Sequence, residues 1–168
     1  MGYLSLPERR PIQAKISPKG WEVINQHVPS TLQSEIAFVA MWFDEELTPV
    51  YETAIKPGIA DAGYTAVRID QHEHINRIDD EIVAMIRKSR FVVTDFTGQR
   101  GGVYFEAGFA LGLDLPVLWL CKKPTEESEA LHFDVNHYNF LFWEEDKLDE
   151  LRAALTRRIE AALGRGPL

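Results

Sequence analysis

The residues most able to do chemistry lie between Phe91 and Leu113, in the run FVVTDFTGQRGGVYFEAGFALGL. Phe91-Val92-Val93 is a short apolar run of the kind that forms a buried strand. Asp95 stands where that strand should end. Thr97-Gly98-Gln99-Arg100-Gly101-Gly102 is a glycine-rich turn. A helix opens after it, with Glu106 about one turn inside. The neighbours of Glu106 at helical spacing are Val103 and Ala110, so its carboxylate falls on the apolar side of the wheel. Such a carboxylate, above a glycine turn, has two readings. In one it serves a ligand site: glycines let backbone N–H groups approach a ligand, and a helix N-terminus favours anions. In the other it pairs with Arg68 or Arg100 and holds the turn. Gly108 costs the helix about 1 kcal/mol relative to alanine, which suggests close packing against something.

The elements that must position these groups alternate strand and helix. Ile36 to Met41 reads as a buried strand, with Trp42-Phe43-Asp44 at its carboxyl end. A helix is predicted from about Glu46 to Ala62, stopped by Gly63, with Pro57 kinking or dividing it. Tyr64 to Ile69 reads as a second strand ending at Asp70. Gln71-His72-Glu73-His74 is a polar connection. Its His-x-His spacing lacks a third ligand at a usual distance, so a lid over the sheet edge is preferred to a metal site. A helix follows over 75–88, then the third strand (about 90–95) and its helix (about 101–112). Pro116 to Cys121 reads as a fourth strand and Phe140 to Trp143 as a fifth. The terminal helix runs from Asp146 to Leu163 on the spacing of Leu148, Leu151, Leu155 and Ile159. This alternation predicts a doubly wound, flavodoxin-like α/β domain: a five-stranded parallel sheet in the order 2-1-3-4-5. Residues 1–34 read as an N-terminal arm, irregular to residue 16, with a short helix from Ser17-Pro18 to about His27. The domain proper spans 35–168.

The run from Asp95 to Ala110 resembles the signature of the nucleoside 2-deoxyribosyltransferase superfamily, which includes 2′-deoxynucleoside 5′-phosphate N-hydrolases. That signature is a strand, a polar turn, a glycine pair, then an aromatic-Glu-small-Gly run on a helix. The resemblance spans about 36–160, and 91–113 is its specific part. It implies the flavodoxin-like fold, and it implies that Glu106 is the nucleophile that attacks C1′ of the sugar. A glycosyl ester then forms and passes to water or to a second base, with net retention.

In a doubly wound sheet the first and third strands flank the switch point, so Met41 to Asp44 lies across from Asp95 to Glu106. Asp95 is the first candidate to orient substrate or handle a proton, with Asp44 and Asp70 as alternatives. Its other reading is a cap-like contact with the Thr97–Gly98 turn. Trp42 and Phe43 either stack on a base or pack in the core. Tyr104 is placed to bond the sugar or the carboxylate. Thr97, Gly98, Gly101 and Gly102 complete the expected binding set.

The sequence departs from the family pattern in three places. The aspartate that the transferases carry just before strand three falls in Lys88-Ser89-Arg90, where Ser89 is the nearest substitute. The acidic residue six positions before the nucleophile is Arg100, and arginine suits a phosphate or other anion. Met41 to Asp44 does not match the glycine-serine phosphate loop of the phosphohydrolases. In the family an asparagine near the last strand, often from a neighbouring subunit, reaches the sugar. Asn139 is the nearest match, with Asn136 and His137 as rivals. The resemblance therefore implies a homo-oligomer.

Bulk properties narrow the field. The chain has 168 residues, a net charge of −8 and 26% charged residues. That balance disfavours binding to a nucleic-acid polymer while leaving a nucleotide pocket possible. Cys121 is the only cysteine, so no intrachain disulfide can form. No apolar run approaches the roughly 20 residues of a membrane span. Arg9, Arg10 and Pro11 do not suit a signal peptide. A cytoplasmic protein acting on a nucleoside or nucleotide is expected, with no cofactor and no metal. Two other functions share these features: a TIR-like NAD-cleaving enzyme, and a nucleotide-binding signalling module without chemistry.

Overall fold

The computed structural model of the chain describes residues 4–5, 15–19, 30–69, 78–125 and 131–168. They fall into two compact units, Met1–Leu32 and Gln33–Leu168. In the first, Leu4–Ser5 and Lys15–Ile16 pair antiparallel, a short ladder where the sequence suggested only an irregular arm. Of the helix expected there, Pro18 and Lys19 are helical, and the remainder of the expected span lies outside the described residues.

The second unit is a five-stranded sheet. Its strands are β1 (Ile36–Ala40), β2 (Thr65–Val67), β3 (Phe91–Asp95), β4 (Val117–Lys122) and β5 (Phe140–Trp143). All four pairings are parallel and the spatial order is β2-β1-β3-β4-β5. The order and class match the sequence expectation. The central strands β1 and β3 are buried along their length except at Ile36, which is why they read as apolar runs rather than alternating ones.

Helices cover both faces. α1 (residues 45–61) and α4 (Leu148–Leu163) pack on the side chains of Ala37, Val39, Phe91, Val93, Leu118 and Leu120. On the other face, α2 (Ile78–Lys88) and α3 (Gly101–Gly112) pack on Phe38, Ala40, Val92, Trp119 and Cys121. Successive strand residues thus serve opposite cores, as the pleat requires. No helix among the described residues is long and apolar enough to cross a membrane.

α1 answers the problem posed by Pro57. It is not divided. Residues Tyr51–Ile55 form a wide π-type turn directly before Lys56–Asp61. A proline ring crowds the carbonyl four residues back and offers no N–H, and a wider turn relieves both effects.

Candidate functional site

The site lies where β1 and β3 end. A cavity of about 430 Å³ opens there, lined by Met41, Trp42, Phe43, Arg100, Gly101, Gly102, Val103 and Glu106. Six of the expected residues meet in it: Trp42, Phe43, Arg100, Gly101, Gly102 and Glu106. The switch-point argument brought them to one place because β1 and β3 are neighbours and the chain leaves them in opposite directions.

Glu106 is 8% exposed. α3 turns it inward alongside Val103, Ala107 and Ala110, all buried. It forms no ion pair or hydrogen bond with any described residue, so the pairing with Arg68 or Arg100 is not made. Burial alone pushes its carboxyl up to about 7. An unpartnered acid, nearly closed off from water and facing a cavity, is costly to keep. A buried, perturbed acid in a cavity is a candidate for a role toward a ligand.

The two arginines go elsewhere. Arg100 lays its guanidinium over the Trp42 ring, 3.6 Å from the centroid. Arg68 sits 4.8 Å over Phe43 and 4.1 Å over Tyr51, with a guanidinium N–H directed at the Met41 sulfur. Guanidinium groups stack on aromatic faces; here Arg100 lines the cavity, and Arg68 stacks on Phe43, one of its walls. Trp42 therefore presents to the site a ring already covered by Arg100. Gly98 closes against the same indole: it has φ +75°, and a Cβ there would come 2.7 Å from Trp42 Cε3. No other residue fits that turn without moving the tryptophan.

A second cavity, also about 430 Å³, shares Trp42 as a wall. It is lined by Glu46, Phe96, Thr97, Gly98, Gln99, Cys121 and Lys122. Thr97 and Gly98 thus belong to this neighbouring space, not to that of Glu106. Sequence reasoning missed Glu46, Gln99, Cys121 and Lys122. The available signal was their place at or just beyond strand ends, along the carboxyl edge of the sheet.

Several expectations are corrected. Of the two readings of Asp95, the contact with the Thr97 turn is the one present, and the residue does not line the cavity. It is fully buried, accepting from the Thr97 N–H at 2.9 Å and from Trp143 Nε1–H at 2.7 Å. Burial raises its pKa, against the bonds from Thr97 and Trp143. It fastens the turn to β5. Asp95→Ala should cost about 3 kcal/mol of stability, since it strands two buried donors; a urea titration checks this.

Tyr104 is also displaced. Residues two apart on a helix point to nearly opposite sides. Its ring packs edge-on against Phe96, 4.9 Å between centroids. Its hydroxyl is buried beside the His132 backbone, away from the Glu106 cavity. Asp44 caps the start of α1, accepting from the Glu46 N–H at 2.9 Å. The Ser89 hydroxyl donates to the Met85 carbonyl at the far end of β3. Asn139 precedes β5, so it lies at the opposite edge of the sheet from the cavity, with both its oxygens accepting from Arg158. Within one chain it does not reach Glu106. Asp70, with His72, Glu73 and His74, lies outside the described residues.

Neither comparison of the sequence with models of known protein families nor comparison with curated protein sequences finds a match.

Proposed function

We propose that the protein cleaves or transfers the N-glycosidic bond of a nucleoside or nucleotide, with Glu106 as the nucleophile at C1′. The observation that carries this reading is the buried carboxyl of Glu106, without a partner among the described residues, against a cavity large enough for a nucleoside. Its sequence setting, Gly101-Gly102-Val103-Tyr104-Phe105-Glu106-Ala107-Gly108, resembles the nucleophile motif of the nucleoside 2-deoxyribosyltransferase superfamily, and the parallel sheet order agrees with that resemblance.

The reaction is a double displacement. A carboxylate oxygen of Glu106 attacks C1′ while the C1′–N bond breaks, and its electron pair leaves with the base, which takes a proton from water. Water or a second base then attacks C1′, the ester oxygen returns to Glu106, and the attacking group loses a proton. Two inversions give retention. A desolvated carboxylate suits this work: little solvent need be stripped from it, and positive charge developing on the sugar ring draws it toward its ionised form. The guanidiniums of Arg100 and Arg68 near the rim offer a nucleotide's phosphate a counter-charge that a neutral nucleoside leaves unused.

The test is intact-mass spectrometry of protein incubated with nucleosides and nucleotides and quenched in acid. A glycosyl adduct on the peptide bearing Glu106 is the expected result. Turnover with no adduct at any quench time would leave direct attack by water and refute the covalent step.

A further inference from the structure

We propose that the outward face of α3 is the interface between two copies of this chain, packed antiparallel about a twofold axis passing between Glu106 and Ala107. The face consists of Gly101, Phe105, Gly108 and Gly112, which recur at helical spacing and are all exposed. Phe105 is 58% exposed and Leu111, on its flank, 38%. A Cβ added at any glycine of α3 would meet no atom within 4 Å. The chain's own packing thus gives no reason for glycine there, although glycine is among the poorest helix formers. Apart from the inward Glu106, α3 carries no charged residue, in a chain that is 26% charged.

Two features identify the occupant as a second copy. The first is size. Antiparallel pairing sets Phe105 opposite the partner's Gly108 and Gly101 opposite the partner's Gly112. The large side chain on this face meets a position without one, and the twofold repeats the contact. The second is charge. Asp114 is exposed just past the C-terminal end of α3, at φ 57°, where the negative end of the helix dipole opposes a carboxylate. Arg100 is the exposed N-cap residue, where the positive end opposes a cation, and the first turn holds no acid. Each charge stands at the wrong end of its own helix, and neither forms an ion pair among the described residues. Antiparallel pairing brings Asp114 beside the partner's N-terminal turn, and does so twice. A net charge of −8 opposes self-association over most of the surface; this face carries none of that charge.

The inference does not depend on the catalytic reading, since self-association is measured without substrate.

Sedimentation equilibrium of the full chain across micromolar concentrations tests it. A monomer–dimer equilibrium is expected. Phe105→Glu should weaken it about 100-fold or abolish it. Gly108→Ala should weaken it about tenfold while the monomer melts no lower than wild type, because alanine improves the helix; that variant separates loss of the interface from loss of the fold. Asp114→Lys should weaken it and remove most of its salt dependence. A chain that stays monomeric throughout, including one in which residues 1–32 cover α3, overturns the proposal. So does a dimer indifferent to both Phe105→Glu and Gly108→Ala.

Discussion

Glu106→Gln is expected to make the protein more stable at pH 8 by about 3 kcal/mol, and to change its stability little near pH 4.5. The carboxyl has a pKa of about 7 in the folded chain against an ordinary value of 4.5. The folded value is the higher one, so the protonated form is favoured by folding. That contribution is fully present below pH 4.5 and is lost as pH rises through 7. Each unit of difference corresponds to about 1.4 kcal/mol, which gives the figure of about 3. Glutamine keeps the shape and cannot ionise, so its stability should not fall across this window. Urea unfolding of both proteins from pH 4.5 to 8 checks the prediction. Parallel curves would mean that Glu106 has a partner in solution, and the account of an unsatisfied carboxyl would be wrong.

The same substitution is expected to lower turnover by about 10⁴-fold or more while leaving ligand affinity within a few-fold. Losses of that size follow removal of a nucleophile, because no neighbouring group can form the covalent intermediate in its place. In wild type, kcat/KM should rise with pH through an inflection near 7, since only the ionised carboxylate attacks. Stability and activity therefore respond to pH with opposite sign, and one residue is the source of both. Steady-state kinetics across pH, with binding measured separately by calorimetry, distinguishes this from a general loss of structure. A Glu106→Gln protein that binds and turns over normally would remove Glu106 from the reaction.

Much of the fold was legible because burial on both faces leaves a simple trace. Strands such as Phe91–Asp95 and Val117–Lys122 are continuous apolar runs, and Gly63 and Gly164 punctuate the helices they end. Glu106 was legible for the same reason: a charge at an apolar position of a helix stands out. The errors share a different cause. Asp95 sits at the right place in the sequence, but its fate is set by Trp143, 48 residues away, and by the way the pleat aims it. Tyr104 is close to Glu106 along the chain and far around the helix. Within one chain Asn139 lies at the edge away from the cavity because β5, like every strand of the sheet, enters from that edge; its expected role was in a neighbouring subunit. The stacking of Arg100 on Trp42 and of Arg68 on Phe43 leaves no period in the sequence, since it pairs residues from separate loops.

The most direct test of the central claim is chromatography of the products formed by the purified chain. The panel is ribo- and deoxyribonucleosides, their 5′-monophosphates and NAD, with Glu106→Ala as the control. The account expects a free nucleobase to appear from a nucleoside or nucleotide, and not to appear with the variant. Base release that persists in Glu106→Ala, or no release from any compound that the protein demonstrably binds, would contradict it; nicotinamide released from NAD alone would move the chemistry to a dinucleotide.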